Sequence, residues 1–251
     1  MKAVGLFEFG DPDVLQVVDV PTPAVPEGAV LVQVDATPVN PTDLTFRRGG
    51  RVAQLENRPR PLIPGVDFAG HVAAVGPEAS GRLRVGDPVL GIASPLGNWS
   101  GSYARFVLVD ERSVVRAPAG VPLADASTLL LNAITARMAL DALDVSRGQT
   151  VLITGAAGKE MIVPAVKIGG KIASLKFWRA ELSDVKVVPI LAPEQATNTA
   201  FLEDFVSSVS RGELDLRVSN RMPYTEAAKA HRLLEAGGVR GRIVLDFSSA
   251  N

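Results

Sequence analysis

The sequence predicts a two-part fold, in which a β-rich domain is followed by an α/β unit built on a parallel sheet. Short apolar runs separated by Pro, Gly and Asp fill the first 120 residues, as in a compact, partly open barrel. After Pro122 the apolar residues recur at helical spacing. Val151 to Gly158 then reads VLITGAAG, a β-branched strand entering a small-residue turn. That pattern is typical of the start of a dinucleotide-binding βαβ unit.

The first part is predicted to be all-β apart from one short helix over Thr42–Arg47, which follows Pro41. Each strand is a short apolar run bounded by turn residues. The predicted strands are Val14–Val20, Ala29–Ala36, Val66–Val75, Pro88–Ile92, Tyr103–Val109 and Val114–Arg116.

The second part alternates helices and strands. A helix over Ala124–Leu143 is indicated by a stripe of Leu130, Ile134 and Met138. Thr225 is expected to cap the last helix, which ends at Gly237. The remaining predictions are strands Val151–Thr154, Lys171–Phe177, Val185–Leu191 and Arg242–Phe247, and a helix Ala200–Ser210 that stops at Gly212.

Composition excludes several classes of function. The net charge of −1 gives no basic field for nucleic acid, and no apolar run approaches the ~20 residues that span a bilayer. The chain has no cysteine, hence no disulfide and no thiolate zinc site, and its two histidines, His71 and His231, show no ligand spacing. The N-terminus enters a strand without a signal-peptide pattern. We therefore expect a cytoplasmic protein without a metal, a membrane or a nucleic-acid partner.

Four segments together resemble the zinc-free, quinone-oxidoreductase-like branch of the medium-chain dehydrogenase/reductase superfamily. Asn40 to Gly49 matches N-x-x-D-x-x-x-R-x-G, and Pro64 to Gly76 matches P-G-x-D-x-x-G-x-V-x-x-V-G. Gly86 to Asp110 matches the strand, Gly-rich loop and strand that follow, and LNAITARMAL leads into GQTVLITGAAG. Zinc-dependent relatives carry a Cys near Asn40 and a His-Glu pair at Val66-Asp67, so the resemblance implies no zinc here.

The resemblance implies a GroES-like barrel domain at 1–122 and 216–251 and a Rossmann-type nucleotide-binding domain at 123–215. The implied reaction is hydride transfer from NADPH, the cofactor, to a quinone or to an activated carbon–carbon double bond. By family position, the catalytic residues are Asn40, Thr45 and Thr135. The implied cofactor-binding residues are Gly155, Ala156, Ala157, Gly158 and Gly170, together with Asn40 and Thr135.

The nucleotide-binding domain is shorter than the family pattern. Between GAAG and PAVKIGGKIASLKF a doubly wound domain should hold roughly 60–80 more residues. We expect the remaining sheet to have about three strands in the order 1-5-6, with Val151–Thr154 paired to Lys171–Phe177. The first helix and the second strand of the nucleotide site are then missing, so the binding of NADP(H) should be impaired. Lys159 and Glu160 are interpreted as solvated junction residues.

Each site residue also has a structural interpretation. Asn40 and Asp43 can cap a turn or a short helix, and Thr135 can bond a backbone carbonyl. Asp67 is predicted to be a buried, turn-stabilising carboxylate, and Tyr103 and His71 to be core or rim residues. Further apolar lining of the site could come from Trp99, Phe177 and Trp178.

Three functions remain open at this stage. The first is an NADPH-dependent quinone or enone reductase acting on a small molecule. The second is a redox-neutral enzyme or small-molecule binder that uses the barrel cleft, and the third is an inactive or engineered truncated scaffold. The resemblance also implies a homodimer, because in relatives the edge strand that corresponds to Val185–Leu191 pairs across a two-fold axis.

Overall fold

The computed structural model describes residues 1–97, 100–153, 166–175 and 184–250. Their contacts group them into two compact units. The first unit comprises Met1–Leu131 and Gln195–Asn251, and the second comprises Asn132–Glu194. The helix predicted from Ala200 therefore groups with the first unit rather than with the nucleotide-binding domain.

The first unit is a β domain with helices at its periphery. Its strands are β1 (Lys2–Gly5), β2 (Gln16–Asp19), β3 (Ala29–Pro38), β4 (Asp67–Val75), β5 (Pro88–Ile92), β6 (Phe106–Asp110), β7 (Val114–Arg116), β10 (Val218–Pro223) and β11 (Arg242–Asp246). Its helices are α1 (Pro41–Arg47), α2 (Val52–Leu55), α3 (Leu123–Ala126), α5 (Thr199–Ser210) and α6 (Ala227–Ala236).

The central strand of the large sheet is β3. The strand order is β10-β11-β3-β4-β5-β7, with β6 also paired to β3, and β1 and β2 form a separate antiparallel pair. β3 pairs antiparallel with β6 over residues 29–33, with β4 over residues 30–36 and with β11 over residues 36–38. Gly70 on β4 makes the close β3–β4 approach possible, since a Cβ there would lie 1.9 Å from the carbonyl oxygen of Gln33.

Both faces of β3 are covered, which explains its nearly continuous apolar sequence. Val30, Val32 and Val34 are fully buried in the main core. Ala29 and Leu31 face a second cluster with Leu108 on β6. β-Branched side chains pack well on a pleated strand whose faces are covered by other residues. The main hydrophobic core is therefore packed on one face of β3, and the smaller cluster is packed on the other face.

The chain returns to this sheet near its end. β10 and β11 pair in parallel, and β11 pairs with the end of β3, so both strands join the barrel sheet. α6 precedes β11 and ends at Gly237, whose φ of 73° suits glycine. The predicted cap at Thr225 is wrong, because Thr225 lies inside a 3-10 turn and Glu226 occupies the N-cap position.

The second unit contains α4 (Leu130–Ala142), which begins in the first unit, and two strands, β8 (Gly170–Ser174) and β9 (Val185–Pro189). β8 and β9 pair in parallel in register Gly170 to Val185, as the two later strands of a Rossmann-type sheet would. Ile134 on α4 is fully buried, as its place in the apolar stripe predicts.

The prediction of a strand at Val151–Thr154 is wrong for the three described residues, 151–153, which adopt no strand. Leu152 is 71% exposed and Ile153 is 87% exposed. A β-branched run forms a strand only when a neighbouring strand accepts its hydrogen bonds, and β8 is paired with β9 in this part of the chain. The three-stranded order 1-5-6 is therefore replaced, among the described residues, by the pair β8-β9.

No helix in the described ranges has the length and apolar character that crossing a bilayer requires.

Candidate active site in the barrel domain

Asn40 lies at the junction between β3 and α1. Its backbone is extended (φ −110°, ψ 153°), and Pro41 starts α1 at the position where a missing N–H costs nothing. The backbone N–H of Asn40 donates to Asp43 Oδ2 at 2.8 Å. This is the return half of a capping box, so Asp43 fixes the turn that presents Asn40.

The side chain of Asn40 is fully buried and engaged on both sides. Its Nδ2 donates to Asp67 Oδ2 at 3.0 Å, and its Oδ1 accepts from the guanidinium of Arg242 on β11. An amide that donates to a carboxylate and accepts from a cation has one settled orientation. Asn40 is therefore a rigid residue.

Asp67, the first residue of β4, is buried with both carboxylate oxygens in use. Oδ1 accepts from the backbone N–H of Leu131 at 2.9 Å, and Oδ2 accepts from Asn40. Arg242 Nη2 lies 4.0 Å from Oδ2. Burial raises the pKa of Asp67 to about 6, against the lowering by Arg242 and by these hydrogen bonds.

Asp43 is the second buried carboxylate. Its Oδ1 accepts from the backbone N–H of Gly65 at 3.2 Å, and the hydroxyl of Tyr103 lies 3.4 Å from Oδ2. Burial raises the pKa of Asp43 to about 7, and the backbone N–H of Asn40 works in the opposite direction. Gly65 is required here: its φ is +104°, and a Cβ would lie 2.4 Å from Ser102 Oγ.

Tyr103 lies between Asp43 and His231, a residue of α6. Its hydroxyl lies 3.1 Å from Nε2 of His231, and the two rings meet edge to face. Both residues are fully buried. Burial, aided by the nearby Arg47, lowers the pKa of His231 to about 3, so the imidazole is neutral at physiological pH. Burial raises the pKa of Tyr103 well above its usual range.

Arg47, the last residue of α1, is a fully buried cation. One of its Nη groups donates to Glu235 on α6, which also pairs with Arg48 at 2.8 Å. Buried charges persist only when paired, so this contact holds α1 against α6. We give the name buried polar cluster to a set of neighbouring side chains, of which six are fully buried and two, Glu235 and Arg242, are half-buried. Its members are Asn40, Asp43, Arg47, Asp67, Tyr103, His231, Glu235 and Arg242.

Two sequence families match the chain. Residues 26–119 match the family described as alcohol dehydrogenase GroES-like domain, and residues 125–245 match the family described as zinc-binding dehydrogenase. The chain belongs to the medium-chain dehydrogenase/reductase superfamily. The resemblance and the fold class inferred from the sequence are thereby confirmed.

Named members of the superfamily support the oxidoreductase lineage. The chain is 34% identical over 165 residues to 2-methylene-furan-3-one reductase of Solanum lycopersicum (63% of this chain, 41% of that protein). It is 34% identical over 161 residues to quinone oxidoreductase of Homo sapiens (63% and 46%). It is 32% identical over 163 residues to NADPH-dependent alkenal/one oxidoreductase, chloroplastic, of Arabidopsis thaliana (63% and 42%). The chain thus spans less than half the length of these curated relatives.

The superfamily fold is also found by comparison with solved structures. A quinone oxidoreductase from Coxiella burnetii superposes with a TM-score of 0.83 at 23% identity, over 98% of this chain and 99% of that chain. At this identity the likeness establishes the fold.

Of the residues that superfamily resemblance implied, Asn40 is the one within the buried polar cluster. Thr45 is exposed on α1, and its hydroxyl donates to the carbonyl oxygen of Pro41 at 3.1 Å. Thr135 is half-buried on α4 in the second unit, and Gly170 is buried at the start of β8. Gly155, Ala156, Ala157 and Gly158 fall outside the described residues, as do Trp99, Lys159, Glu160, Phe177 and Trp178.

The structural interpretations of the acids and of the tyrosine agree with the structure. Asp43 caps α1, Asp67 is buried, and Tyr103 is in the core. His71 is on the surface, where Nδ1 lies 3.0 Å from Asp35 Oδ2. Sequence reasoning missed the burial of Arg47 and His231 and the contact of Arg242 with Asn40. The one sequence signal for any of these features was the place of Arg47 in the family motif. An arginine is rarely buried unless it is paired, so composition alone predicts an exposed side chain.

No group of three or more His, Cys, Asp or Glu side chains in the described ranges is placed to hold a metal ion. Close to the two places where the resemblance locates the ligands of zinc-dependent relatives, the side chains of Asn40 and Asp67 bind each other. Asp43 and Asp67 are almost fully buried, so these two carboxylates hold Asn40 in place and are not free to attack a substrate.

Proposed function

We propose that this chain derives from zinc-independent, NADP(H)-dependent quinone or enone reductases, keeps the barrel half of their active site, and binds the dinucleotide weakly. The observation that carries the proposal is a contrast between the two units. The side chains of Asn40 and Asp67 are hydrogen-bonded through each of their polar atoms, whereas residues 151–153, which should lead into the phosphate-binding turn, form no strand.

The barrel half supports hydride-transfer ancestry. In such chemistry the cofactor supplies the hydride and the protein supplies positioning and charge stabilisation. The side-chain amide of Asn40, locked between Asp67 and Arg242, is suited to positioning. Thr45 and Thr135 carry hydroxyl groups that could pass a proton to a substrate oxyanion, the role that family position implies for them.

The described residues of the second unit do not fit a bound dinucleotide in the family's usual arrangement. That arrangement needs a strand, held in the sheet, that aims a glycine-rich turn at the pyrophosphate. Residues 151–153 are out of the sheet, and Gly169 and Gly170 serve their own turn, because a Cβ on Gly170 would lie 2.8 Å from the carbonyl oxygen of Lys167.

The test is calorimetric titration of the purified protein with NADPH and, separately, NADH. We expect no saturable binding at micromolar concentrations and at most millimolar affinity, because part of the anion-binding dipole and amide contacts is missing. A micromolar dissociation constant for either dinucleotide would overturn weak binding, and turnover should then be measured with an ortho-quinone and an enone. Saturable binding of those substrates without a dinucleotide would favour the redox-neutral alternative.

We also propose that the protein forms a homodimer through β9. One edge of β9 is paired with β8, and no described strand covers its other edge. An uncovered strand edge readily pairs with a second copy across a two-fold axis. Sedimentation velocity at about 10 µM should give a dimer, a concentration at which weak-to-moderate interfaces are populated. A monomer under these conditions would contradict this assembly.

A further inference from the structure

We propose that His231 is a positioning residue: with its proton on Nε2, a tautomer set by the guanidinium of Arg47, it directs the hydroxyl of Tyr103 onto Asp43. Asp43 accepts a hydrogen bond from the backbone N–H of Asn40 and so stabilises the turn at Asn40. The last link, to catalysis, rests on the proposed function. The links from Arg47 to Asp43 do not, and they can be tested without any activity.

The hydroxyl of Tyr103 sits between two partners but has one proton. Asp43 Oδ2 lies at 3.4 Å and His231 Nε2 at 3.1 Å. If the hydroxyl donates to Asp43, it must accept from an Nε2–H group, and Nδ1 then carries a lone pair. If it donates to Nε2 instead, Asp43 must be protonated to donate to it, and Nδ1 carries the hydrogen. The chain of hydrogen bonds therefore has two directions.

Arg47 selects between these directions. Its Nε and Nη1 atoms are buried without a partner in the described part of the chain, and the same is true of His231 Nδ1. Arg47 is close enough to contribute to the lowered pKa of the imidazole. Glu235, the partner of Arg47, lies one turn after His231 on α6, which places the guanidinium on the same face of that helix as the imidazole. A permanent positive charge on this face favours a lone pair on the unpartnered Nδ1 and disfavours an N–H there. Arg47 therefore favours the direction with Nε2–H.

The groups around Asp43 favour the same direction. Asp43 accepts backbone N–H groups from Asn40 and Gly65, and both contacts stabilise the carboxylate rather than the acid. The positive charge of Arg242 acts likewise, while burial and the negative charge of Asp67 oppose it. On the His231 side the charged groups are Arg47 and its partner Glu235. The hydroxyl of Tyr103 adds a third donor to Asp43 in the Nε2–H direction alone.

The decisive experiment is long-range ¹H–¹⁵N NMR of protein labelled at histidine, which reads protonation and tautomer from the two ring nitrogens. The chain has two histidines, so two sets of signals are expected. His71, exposed and beside Asp35, provides an internal reference. From pH 5 to pH 8 we expect His231 to stay neutral, and at pH 8, where Asp43 is ionised, we expect its hydrogen on Nε2. A hydrogen on Nδ1 at pH 8, or protonation of His231 between pH 5 and pH 8, would overturn the proposal.

Variants test the effect on Asp43, read from the titration of ¹³C-labelled aspartate. Tyr103→Phe removes the hydroxyl donor, so the titration midpoint of Asp43 should rise by about one pH unit. His231→Phe leaves Asp43 as the one described partner of the hydroxyl, which still donates to it, so the midpoint should stay near the wild-type value. If the hydroxyl instead donates to His231, the same substitution frees it to donate to Asp43, so a fall of the midpoint in folded His231→Phe would refute the proposal. His71→Gln is the control and should leave the midpoint unchanged. If His231→Phe does not fold, the tautomer of the wild-type protein still decides.

Discussion

At the scale of single residues, Asp43 and Asp67 are the most completely buried carboxylates in the described ranges. Removing an ionised carboxylate from water costs several kcal/mol unless hydrogen bonds and opposite charges compensate. Here backbone N–H groups, Asn40 and Arg242 offset part of this cost. The part that is not offset raises the pKa of Asp43 to about 7 and the pKa of Asp67 to about 6. Protonation of these acids is thus coupled to the stability of the fold.

The sign of this coupling gives a prediction for Asp67→Asn. Because the pKa of Asp67 is raised to about 6 from 3.8, the folded protein binds a proton more tightly than the unfolded chain. The contribution of Asp67 to stability is fully present below about pH 4 and is lost as the pH rises through about 6. Asp67→Asn should abolish this loss, which is on the order of 3 kcal/mol between pH 4 and pH 7.5.

Urea unfolding of the wild-type protein and Asp67→Asn at several pH values measures the difference. The matched control is Asp11→Asn, at an exposed position, which should leave the pH dependence unchanged. His231 contributes with the opposite sign in both proteins: its pKa is lowered to about 3, so its contribution grows as the pH rises towards 6.5. Parallel pH curves for the wild type and Asp67→Asn would show that Asp67 carries no raised pKa.

At the residue scale, sequence reasoning found the individual polar residues but not their connections. Asn40, Asp43 and Asp67 were singled out from motif positions, and the capping by Asp43 follows from its spacing to Asn40. The contact of Tyr103 with His231 joins residues 128 positions apart. No local pattern encodes such a pairing, because it is created when α6 packs on the sheet.

At the scale of elements, Arg58 holds the loop that follows β5. Its Nη1 donates to the carbonyl oxygen of Pro95 at 2.7 Å, and its other Nη group donates to the carbonyl oxygen of Gly97. The backbone N–H of Gly97 donates to the carbonyl oxygen of Ser94 at 2.9 Å, which closes the turn. Charge-assisted hydrogen bonds of this kind are worth about 1.5–3 kcal/mol each.

Arg58→Gln should therefore loosen this loop without unfolding the domain. We expect the amide of Gly97 to exchange with deuterium at least about tenfold faster, since a tenfold change corresponds to about 1.4 kcal/mol of local stability. Hydrogen exchange followed by mass spectrometry or NMR measures this. Arg84→Gln removes an exposed arginine and serves as the control. Equal protection of Gly97 in Arg58→Gln and in the wild type would contradict a role for Arg58 in holding the loop.

Elements were predictable where the local pattern and the tertiary context agree. β5 and β7 have the predicted bounds, because each is a short apolar run between turn residues and is packed in the sheet. β10 was missed because its sequence, VSNRMP, is largely polar, and its burial depends on Met222 alone. At residues 151–153 the opposite holds: the local sequence favours a strand, but the strand does not form, because no described strand pairs with these residues.

At the scale of the whole molecule, the two units differ in how much apolar surface they bury. Ile134, Val185, Ile190 and Ala192 are the apolar residues of the second unit that are buried in the described ranges. The same unit leaves Leu152, Ile153, Ile168 and Leu175 more than half exposed. A unit of about 60 residues whose described part buries so few apolar side chains is expected to be marginally stable.

We therefore expect the second unit to open well before the barrel domain. Amides in the β8–β9 pair should exchange through local opening that costs only a small part of the global unfolding free energy. Amides in the β3–β4 pair should exchange only through global unfolding, and they provide the internal control. Native-state hydrogen exchange in increasing urea measures both. Equal opening free energies for the two strand pairs would mean that the molecule unfolds as one cooperative unit.

The pairing of β3 with β11 also has a consequence for synthesis on the ribosome. Thr37 on β3 pairs with Leu245 on β11, so the two partners are separated by about 200 residues. At about 5–20 residues per second, translation leaves the end of β3 without this neighbour for roughly 10–40 seconds. Until β11 emerges, the nascent barrel carries an open strand edge that can pair with another chain. The yield of native protein should therefore depend on how well that edge is shielded from other chains during translation.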